Sequence, residues 1–323
     1  MQETANGCIE KIKQIDFSKL GLSDYNQLYI NRIVPHLAYY FTIYIQSISS
    51  FSRLTKESWI VDFGGGHGFL SLFLKSLGYN VIYCDINPLS VKTITLIKDE
   101  INIGPDYIVS GSTEDLKQFC ELHDIMPTHL IATDLIEHIY DLSDFFRNLR
   151  DINPDLEMVF TTGSNPKNSY KCKQLHKYMV EEEKVYLSQR KEFISKHFAE
   201  LTEAEIENLA KLSRGKIYPD IQPLVTNYKE NGVLPIPLSD QYNTCDPENG
   251  NWTERILPLE EYQRLATENG FQTVFKPGFY NEKRSKSYVS QIVHLLNSAI
   301  RKGGETGYKL APYILIKLYR NNG

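Results

Sequence analysis

The stretch Val61-Asp62-Phe63-Gly64-Gly65-Gly66-His67-Gly68 stands between two apolar runs, and this arrangement decides the fold. The run before it, Trp59 to Val61, predicts a buried strand, and the run after it, Phe69 to Leu74, predicts the start of a helix. The glycines allow the backbone to turn tightly and to approach a ligand without a Cβ in the way. Because a helix start offers free N–H groups, the three segments together predict a nucleotide site in an α/β sheet.

The spacing of the glycines shows which kind of nucleotide-binding loop the sequence matches. A dinucleotide fingerprint starting at Gly64 needs its last glycine where Phe69 stands, and the third glycine comes one residue earlier, at Gly68. A phosphate loop needs Gly-Lys-Ser/Thr, and no lysine follows these glycines. The remaining pattern, Asp-x-Gly-x-Gly-x-Gly, resembles the first motif of class I S-adenosylmethionine-dependent methyltransferases. That ligand has no pyrophosphate, so the resemblance implies a loop, Asp62 and Gly64 to Gly68, curved around an amino-acid tail and a sulfonium.

An acidic residue ends the second predicted strand, Val81 to Cys84. Asp85 lies about 20 residues beyond the glycine loop, a position that suits the two hydroxyls of a ribose. Ile86 follows at the same strand end and is expected in the same cofactor site. Dinucleotide enzymes share this acid, so Asp85 supports adenosine more than a methyl donor. The alternative is a simple turn, because Asp-Ile-Asn-Pro is good turn chemistry.

The third predicted strand, Tyr107 to Val109, leads into Gly-Ser-Thr-Glu-Asp-Leu. In the methyltransferases that this chain resembles, the loop often reads Gly-Asp-Ala-Glu-Asp-Leu and holds the adenine edge. The resemblance therefore implies adenine contacts at Ser112 and Thr113, although a hydroxyl pairs less strongly than the usual carboxylate. Either residue is also suited to cap the helix predicted at 114–122, and the two roles are compatible.

The fourth predicted strand, Thr128 to Thr133, leads into a candidate reaction face. The sequence Ile136-Glu137-His138 is similar to the Leu-Glu-His that the family commonly carries there, which implies that Thr133 and Asp134 lie near the transferable methyl group. His138 is the candidate base, because an unperturbed imidazole titrates near neutral pH. The alternative is a surface histidine paired with a neighbouring acid. Asp134 is expected to accept a hydrogen bond from the methionine amine or from the substrate.

The same segment has a spacing that metal ligands also use. Asp134, Glu137 and His138 would share one face of a helix. RNA-end methyltransferases of the small-RNA type resemble this with Glu-x-x-Glu-His and a further distant histidine, for which His176 is the candidate. Two features argue against a metal site here: an aspartate stands in place of the first glutamate, and the chain carries a net negative charge. Base methylation is not expected either, because the Asn/Asp-Pro-Pro-aromatic loop is missing after Thr133.

Composition indicates which partners and which cellular compartment to expect. The 323 residues carry a net charge of −5, whereas a nucleic-acid partner favours a basic stripe. A local basic patch, Lys283-Arg284-Ser285-Lys286, is interpreted as a solvated loop. Five cysteines without Cys-x-x-Cys spacing favour a reduced, cytoplasmic compartment. The N-terminus has no apolar signal core and no apolar run reaches membrane-spanning length, so we expect no membrane partner.

Strands that alternate with helices predict an α/β fold, a doubly wound, mostly parallel sheet of seven strands. The last two predicted strands have a helix between them, where the resembled family often has a hairpin. Several prolines at 217–258 predict an irregular loop, and the glycines at 303–307 predict a turn. We divide the chain into an N-terminal helical cap (1–54), an S-adenosylmethionine-binding core (55–165), a mainly helical insertion after strand five (166–257) and the rest of the sheet (258–323).

The leading hypothesis is an S-adenosylmethionine-dependent methyltransferase with a small-molecule acceptor. The favoured acceptor is a hydroxyl group of a sugar or another metabolite. The insertion is expected to shape the substrate pocket rather than only an oligomer surface. The chain is expected to be a monomer or homodimer. The alternatives are a non-catalytic S-adenosylmethionine-binding or scaffold protein, an NAD(P)-dependent sugar-nucleotide oxidoreductase, and an RNA-end methyltransferase with a metal.

Overall fold

A seven-stranded sheet forms the centre of the computed structural model, which describes residues 1–282 and 287–320. The strands are β1 (Trp59–Phe63), β2 (Asn80–Asp85), β3 (Tyr107–Ser110), β4 (His129–Thr133), β5 (Glu157–Thr162), β6 (Gln272–Pro277) and β7 (Ile314–Tyr319). The helices are α1 (Gln2–Lys13), α2 (Asp24–Ile33), α3 (Leu37–Ile48), α4 (Phe69–Ser76), α5 (Pro88–Ile101), α6 (Thr113–His123), α7 (Leu142–Ile152), α8 (Ser169–His197), α9 (Glu203–Leu212), α10 (Tyr218–Asn231), α11 (Leu259–Glu268), α12 (Ser287–Lys302) and α13 (Glu305–Leu310).

The strand order is β3-β2-β1-β4-β5-β7-β6. The pairs among β1 to β5 are parallel, whereas β7 runs antiparallel to both of its neighbours. This order confirms the predicted doubly wound, mostly parallel sheet. Because the winding direction reverses between β1 and β4, the loops after these strands diverge and leave a crevice at their carboxyl ends.

Helices bury both faces of the sheet. One face packs against α1, α3, α4 and α5, and the other packs against α6, α7 and α11. The central strands are apolar on both sides, as expected when two helical layers cover a parallel sheet. In β2, for example, Val81 to Cys84 are all fully buried.

The N-terminal helices are attached to the core by a buried polar contact. Asn26 of α2 is 4% exposed, and its amide donates to the carbonyl of Leu89 and to Oγ1 of Thr93, both on α5. Buried polar groups are normally hydrogen-bonded within the protein, and both of these bonds go to α5. The contact holds α2 above the glycine loop.

Helices α8 to α10 follow β5 and carry a small apolar core of their own. The expectation of an irregular loop from residue 217 was wrong for 218–231, which form α10. Pro219 lies in the first helical turn, where a missing N–H costs nothing. Pro223 lies inside the helix, and the buried Ile221 and Val225 hold that helix against its neighbours despite the lost hydrogen bond.

The end of the chain keeps its strand pairing despite the helices inserted within it. Helices α12 and α13 separate β6 from β7, yet the two strands pair over Gln272–Pro277. The predicted turn at 303–307 was wrong in part, because α13 begins at Glu305. The basic patch at 283–286 lies outside the described residues. Among the helices of residues 1–282 and 287–320, none has the length and apolar character needed to cross a membrane.

Candidate functional site

The glycine loop is a tight turn held by its own backbone and by Asp85. The amide of Gly64 donates to the carbonyl of Cys84 at 2.7 Å, and the amide of Gly66 donates to Oδ2 of Asp85 at 2.8 Å. Gly64, Gly66 and Gly68 have φ values of 64°, 53° and 78°, the left-handed region that glycine adopts without strain. The predicted strand, turn and helix therefore meet as expected, with α4 beginning at Phe69.

Two residues support this loop from below. Asp62 is 2% exposed, and its Oδ2 accepts hydrogen bonds from the amide and the hydroxyl of Ser71 on α4. Burial raises the pKa of Asp62 to about 7, although the bonds from Ser71 oppose this shift. The hydroxyl of Tyr83 donates to the carbonyl of Gly66 at 2.7 Å. Asp62 thus connects the loop to α4, and its predicted ligand contact stays a prediction.

A cavity of about 320 Å³ opens beside the loop at the carboxyl ends of β1, β2 and β3. Asp85 lies on its wall, with its two carboxylate oxygens accepting the amides of Asn87 and Gly66. Ile86 is 75% exposed next to it, an apolar surface that lines the same cavity. Burial at the strand end raises the pKa of Asp85, and the two amides oppose this. Five predicted cofactor residues line the cavity together: Gly64, Asp85, Ile86, Ser112 and Thr113.

The hydroxyl of Ser112 is engaged in capping α6. It accepts the amide of Glu114 at 3.2 Å, while Asp115 accepts the amide of Ser112 at 2.8 Å, which together form a capping box. The predicted capping role is confirmed. An adenine contact at Ser112 stays a prediction, and it would use the remaining capacity of that hydroxyl.

The segment after β4 is not the helix that a metal-like spacing assumes. Asp134 has φ of 50°, and only Ile136–His138 form a single 3-10 turn. The prediction that Asp134, Glu137 and His138 share one helix face was therefore wrong. His176 instead stacks on Tyr242 with ring centroids 3.7 Å apart. Within residues 1–282 and 287–320, no group of three His, Cys, Asp or Glu side chains is arranged to hold a metal ion.

The insertion holds His138 in a fixed position. Nδ1 of His138 lies 2.7 Å from the carbonyl oxygen of Trp252, and the amide of Trp252 donates to the carbonyl of His138 at 3.2 Å. The indole N–H of Trp252 donates to the carbonyl of Tyr140, and the amide of Arg255 donates to that of Glu137. Because a carbonyl only accepts, this contact requires a proton on Nδ1, and in a neutral imidazole the lone pair is then on Nε2. The sequence-based reasoning missed Trp252.

Two carboxylates lie close together here: Asp134 belongs to the segment after β4, and Glu254 belongs to the insertion. The amide of Asp134 donates to the carbonyl of Thr161 at 2.9 Å, next to Thr133 at the end of β4. Glu254, which the sequence also did not reveal, accepts the hydroxyl of Ser164 at 3.2 Å. Asp134 is an exposed residue, although neighbouring protein restricts the hydration of its carboxylate. This loss of hydration, followed by the charge of Glu254, raises the pKa of Asp134.

Tyrosines from the N-terminal cap and the insertion lie near these carboxylates. Tyr25 and Tyr29 stack with centroids 6.1 Å apart, and Tyr29 also stacks on His67 of the glycine loop at 5.7 Å. The pKa of Tyr29 is raised by burial and then by the charge of Asp134. The pKa of Tyr178 on α8 is raised by burial and by Glu182, with smaller effects from Glu254 and Tyr25. The cap and the insertion therefore approach the reaction face from two sides.

Part of the chain is similar to a curated methyltransferase. Over 121 residues it is 26% identical to the ubiquinone biosynthesis O-methyltransferase of Rickettsia akari, a match that covers 37% of this chain and 46% of that protein. The chain therefore spans about half the length of this relative. No family model matches the chain.

Solved structures of methyltransferases resemble the chain at low identity. A putative sarcosine dimethylglycine methyltransferase from Galdieria sulphuraria is 11% identical with a TM-score of 0.42, over 89% of this chain and 88% of that one. A methyltransferase from Methanosarcina mazei is 17% identical with a TM-score of 0.41, over 83% and 94%. With its seven-stranded sheet, parallel from β1 to β5 and with an antiparallel β7, the chain has the class I methyltransferase fold.

Proposed function

We propose that this chain is an S-adenosylmethionine-dependent methyltransferase that methylates a hydroxyl of a small molecule, such as a sugar or another metabolite. The cavity at the carboxyl ends of β1, β2 and β3 carries the proposal, because it brings the glycine loop, Asp85 and the Ser112 loop together. The partial identity to an O-methyltransferase supports the same activity.

The residues of the cavity suit an adenosine-containing donor. Each carboxylate oxygen of Asp85 accepts one backbone amide and keeps a further lone pair, which leaves capacity for ribose hydroxyls. Phe63, Ile86 and Leu135 offer apolar surface for a base. A Cβ on Gly64 would stand 2.8 Å from the end of the Leu135 side chain, and the φ of 64° also favours glycine at this point. When bound, S-adenosylmethionine supplies an activated methyl group.

His138 is proposed to accept the proton of the acceptor hydroxyl. Its Nδ1–H is committed to the carbonyl of Trp252, which fixes the ring and leaves Nε2 as the proton acceptor. The fixed imidazole takes the proton as the acceptor oxygen becomes the nucleophile. The cap and the insertion hold the acceptor and exclude water, which supplies the positioning that methyl transfer mainly requires.

A transfer assay with radiolabelled S-adenosylmethionine tests the proposal on a panel of sugars, phenols and other hydroxyl metabolites. We expect His138→Gln to lower the transfer rate about 100-fold, the size of a lost general base, with unchanged donor affinity. His123→Gln, an exposed histidine on α6, is the matched control. Wild-type activity in His138→Gln would contradict the role of the base. Donor binding without transfer across the panel would favour a binding protein.

A further inference from the structure

Two carboxylates at the reaction face are held in a strained backbone conformation. Asp134 and Glu254 have φ values of 50° and 53°, in the left-handed region that residues other than glycine rarely adopt. Both are attached to the end of β5: Asp134 donates its amide to Thr161, and Glu254 accepts the hydroxyl of Ser164 through its carbonyl and its carboxylate. Strain of this kind persists where the surrounding structure imposes it, often at functional sites.

These carboxylates lack the partners that would neutralise them. Within the described residues, the carboxylate of Asp134 accepts no hydrogen bond and forms no ion pair, and that of Glu254 has only the Ser164 hydroxyl. His138 and then Lys171 lie close enough to lower the pKa of Asp134 in part, but in the described part of the chain neither makes an ion pair with either acid. The ammonium of Lys171 stands 3.8 Å from the Cβ position of Gly163, beyond the end of β5.

A third carboxyl group behind them is also incompletely bonded. Glu137 is 1% exposed, and its Oε2 has no hydrogen-bond partner. Burial raises the pKa of Glu137 well above its usual value, and the charges of Asp134 and Glu254 raise it further, whereas hydrogen bonds from the backbone and from Thr162 oppose the shift. An unpartnered buried polar atom beside two unpaired carboxylates indicates a site made for a hydrogen-bond donor with positive charge.

Aromatic faces complete the site. Tyr25 is 64% exposed and Tyr178 is 53% exposed, and they lie on α2 and α8 close enough to affect each other electrostatically. Tyr29 stacks beneath Tyr25. An ammonium near a tyrosine face gains from the ring quadrupole as well as from the carboxylates.

We infer that the methyl acceptor carries an ammonium group, seated between Asp134 and Glu254 and against the tyrosines of α2 and α8. The inference rests on the proposed function and names the chemical class of its acceptor, a hydroxyl compound that also bears an amine. The ammonium selects the acceptor, whereas the hydroxyl reacts. The main competing occupant of the two carboxylates is the amino group of the donor itself.

Matched probes test this inference on the full chain saturated with S-adenosylhomocysteine. Tyramine and 4-ethylphenol differ only in the ammonium, and saturation-transfer NMR measures the affinity of each. We expect tyramine to bind about tenfold more tightly than 4-ethylphenol, from one exposed ion pair and one cation–π contact. The preference should fall to about two- to fivefold in Glu254→Gln, where Asp134 and the cation–π contact remain, with unchanged affinity for S-adenosylhomocysteine. It should stay at about tenfold in Glu248→Gln, an exposed residue of the same insertion.

The outcomes separate this inference from the proposed function. If wild-type protein does not bind S-adenosylhomocysteine, the proposed function fails. If it binds S-adenosylhomocysteine but prefers neither probe, only the inferred acceptor class is overturned. If Glu254→Gln lowers the affinity for S-adenosylhomocysteine, the carboxylate belongs to the donor site, and the inference is overturned as well. Asp134→Asn, which tolerates a left-handed backbone, repeats the comparison should Glu254→Gln fold poorly.

Discussion

Gly65→Ala tests how closely the glycine loop is packed on the sheet. A Cβ at Gly65 would lie 2.5 Å from Cε2 of Tyr83 and 2.9 Å from Oδ2 of Asp62. Tyr83 is fully buried and donates its hydroxyl to Gly66, so its ring has no free space to move into. Overpacking costs about 1–3 kcal/mol, and a lost hydrogen bond adds about 1 kcal/mol. We therefore expect a destabilisation of about 2–4 kcal/mol.

Gly66→Ala is the matched control one residue away. No atom lies within 4 Å of a Cβ at Gly66, but its φ of 53° is strained for alanine. A left-handed alanine costs about 1–2 kcal/mol. The lower entropy of the unfolded chain with alanine affects both variants equally and cancels in their difference.

Urea denaturation gives the free energy of unfolding for both variants, and calorimetry with S-adenosylhomocysteine gives donor affinity. We expect Gly65→Ala to be less stable than Gly66→Ala by about 1.5 kcal/mol, the difference between the midpoints of the two ranges. We also expect Gly65→Ala to bind the donor more weakly, because Tyr83 and Asp62 shape the loop. A Gly65→Ala protein as stable as Gly66→Ala, with wild-type donor affinity, would refute the packing described here.

Two further predictions concern Trp252 and Asp62. Trp252→Phe keeps an aromatic ring but removes the indole hydrogen bond to Tyr140 and part of a buried side chain, so we expect stability to fall by at least about 1 kcal/mol. We also expect a shifted pH profile of methyl transfer, because His138 is held less firmly; an unchanged profile would mean that Trp252 does not position His138. The pKa of Asp62 rises from 3.8 to about 7 on folding, so its contribution to stability is present below pH 3.8 and is lost as the pH rises through 7. Relative to Asp62→Asn, the unfolding free energy of the wild type should therefore fall by about 1.4 kcal/mol per pH unit between about pH 4 and 7. Denaturation at several pH values measures this difference. The same pH dependence of stability in both proteins would contradict it.

The grouping of Gly64, Asp85 and Ser112 at one cavity could be predicted from the sequence because its signals are local. The glycine spacing, the strand before it and Asp85 at the next strand end each follow from a short segment, and the strand order then brings those segments together. Ser112 is a case in which two roles were predicted, and the structure bears out the cap.

The reaction side depends on contacts that no local pattern contains. Trp252 and Glu254 lie more than 100 residues beyond His138, in a segment without helix or strand periodicity, and only the folded insertion brings them to the reaction face. The left-handed conformation of Asp134 was equally hidden, because the spacing of acids and histidine fits a helix as well. In α10, prolines suggested a loop, but Pro219 occupies the helix start where proline is tolerated.

The central claim is that the cavity at Gly64 and Asp85 binds S-adenosylmethionine. Titration calorimetry on wild type and Asp85→Asn tests it, with Asp99→Asn, an exposed acid on α5, as the control. The asparagine can still accept the amide of Gly66 but loses the charge that we propose holds the ribose. We therefore expect one site in the wild type and about tenfold weaker binding in Asp85→Asn alone. Absence of heat with S-adenosylmethionine and S-adenosylhomocysteine at high wild-type concentration would contradict the claim, as would equal affinity in all three proteins.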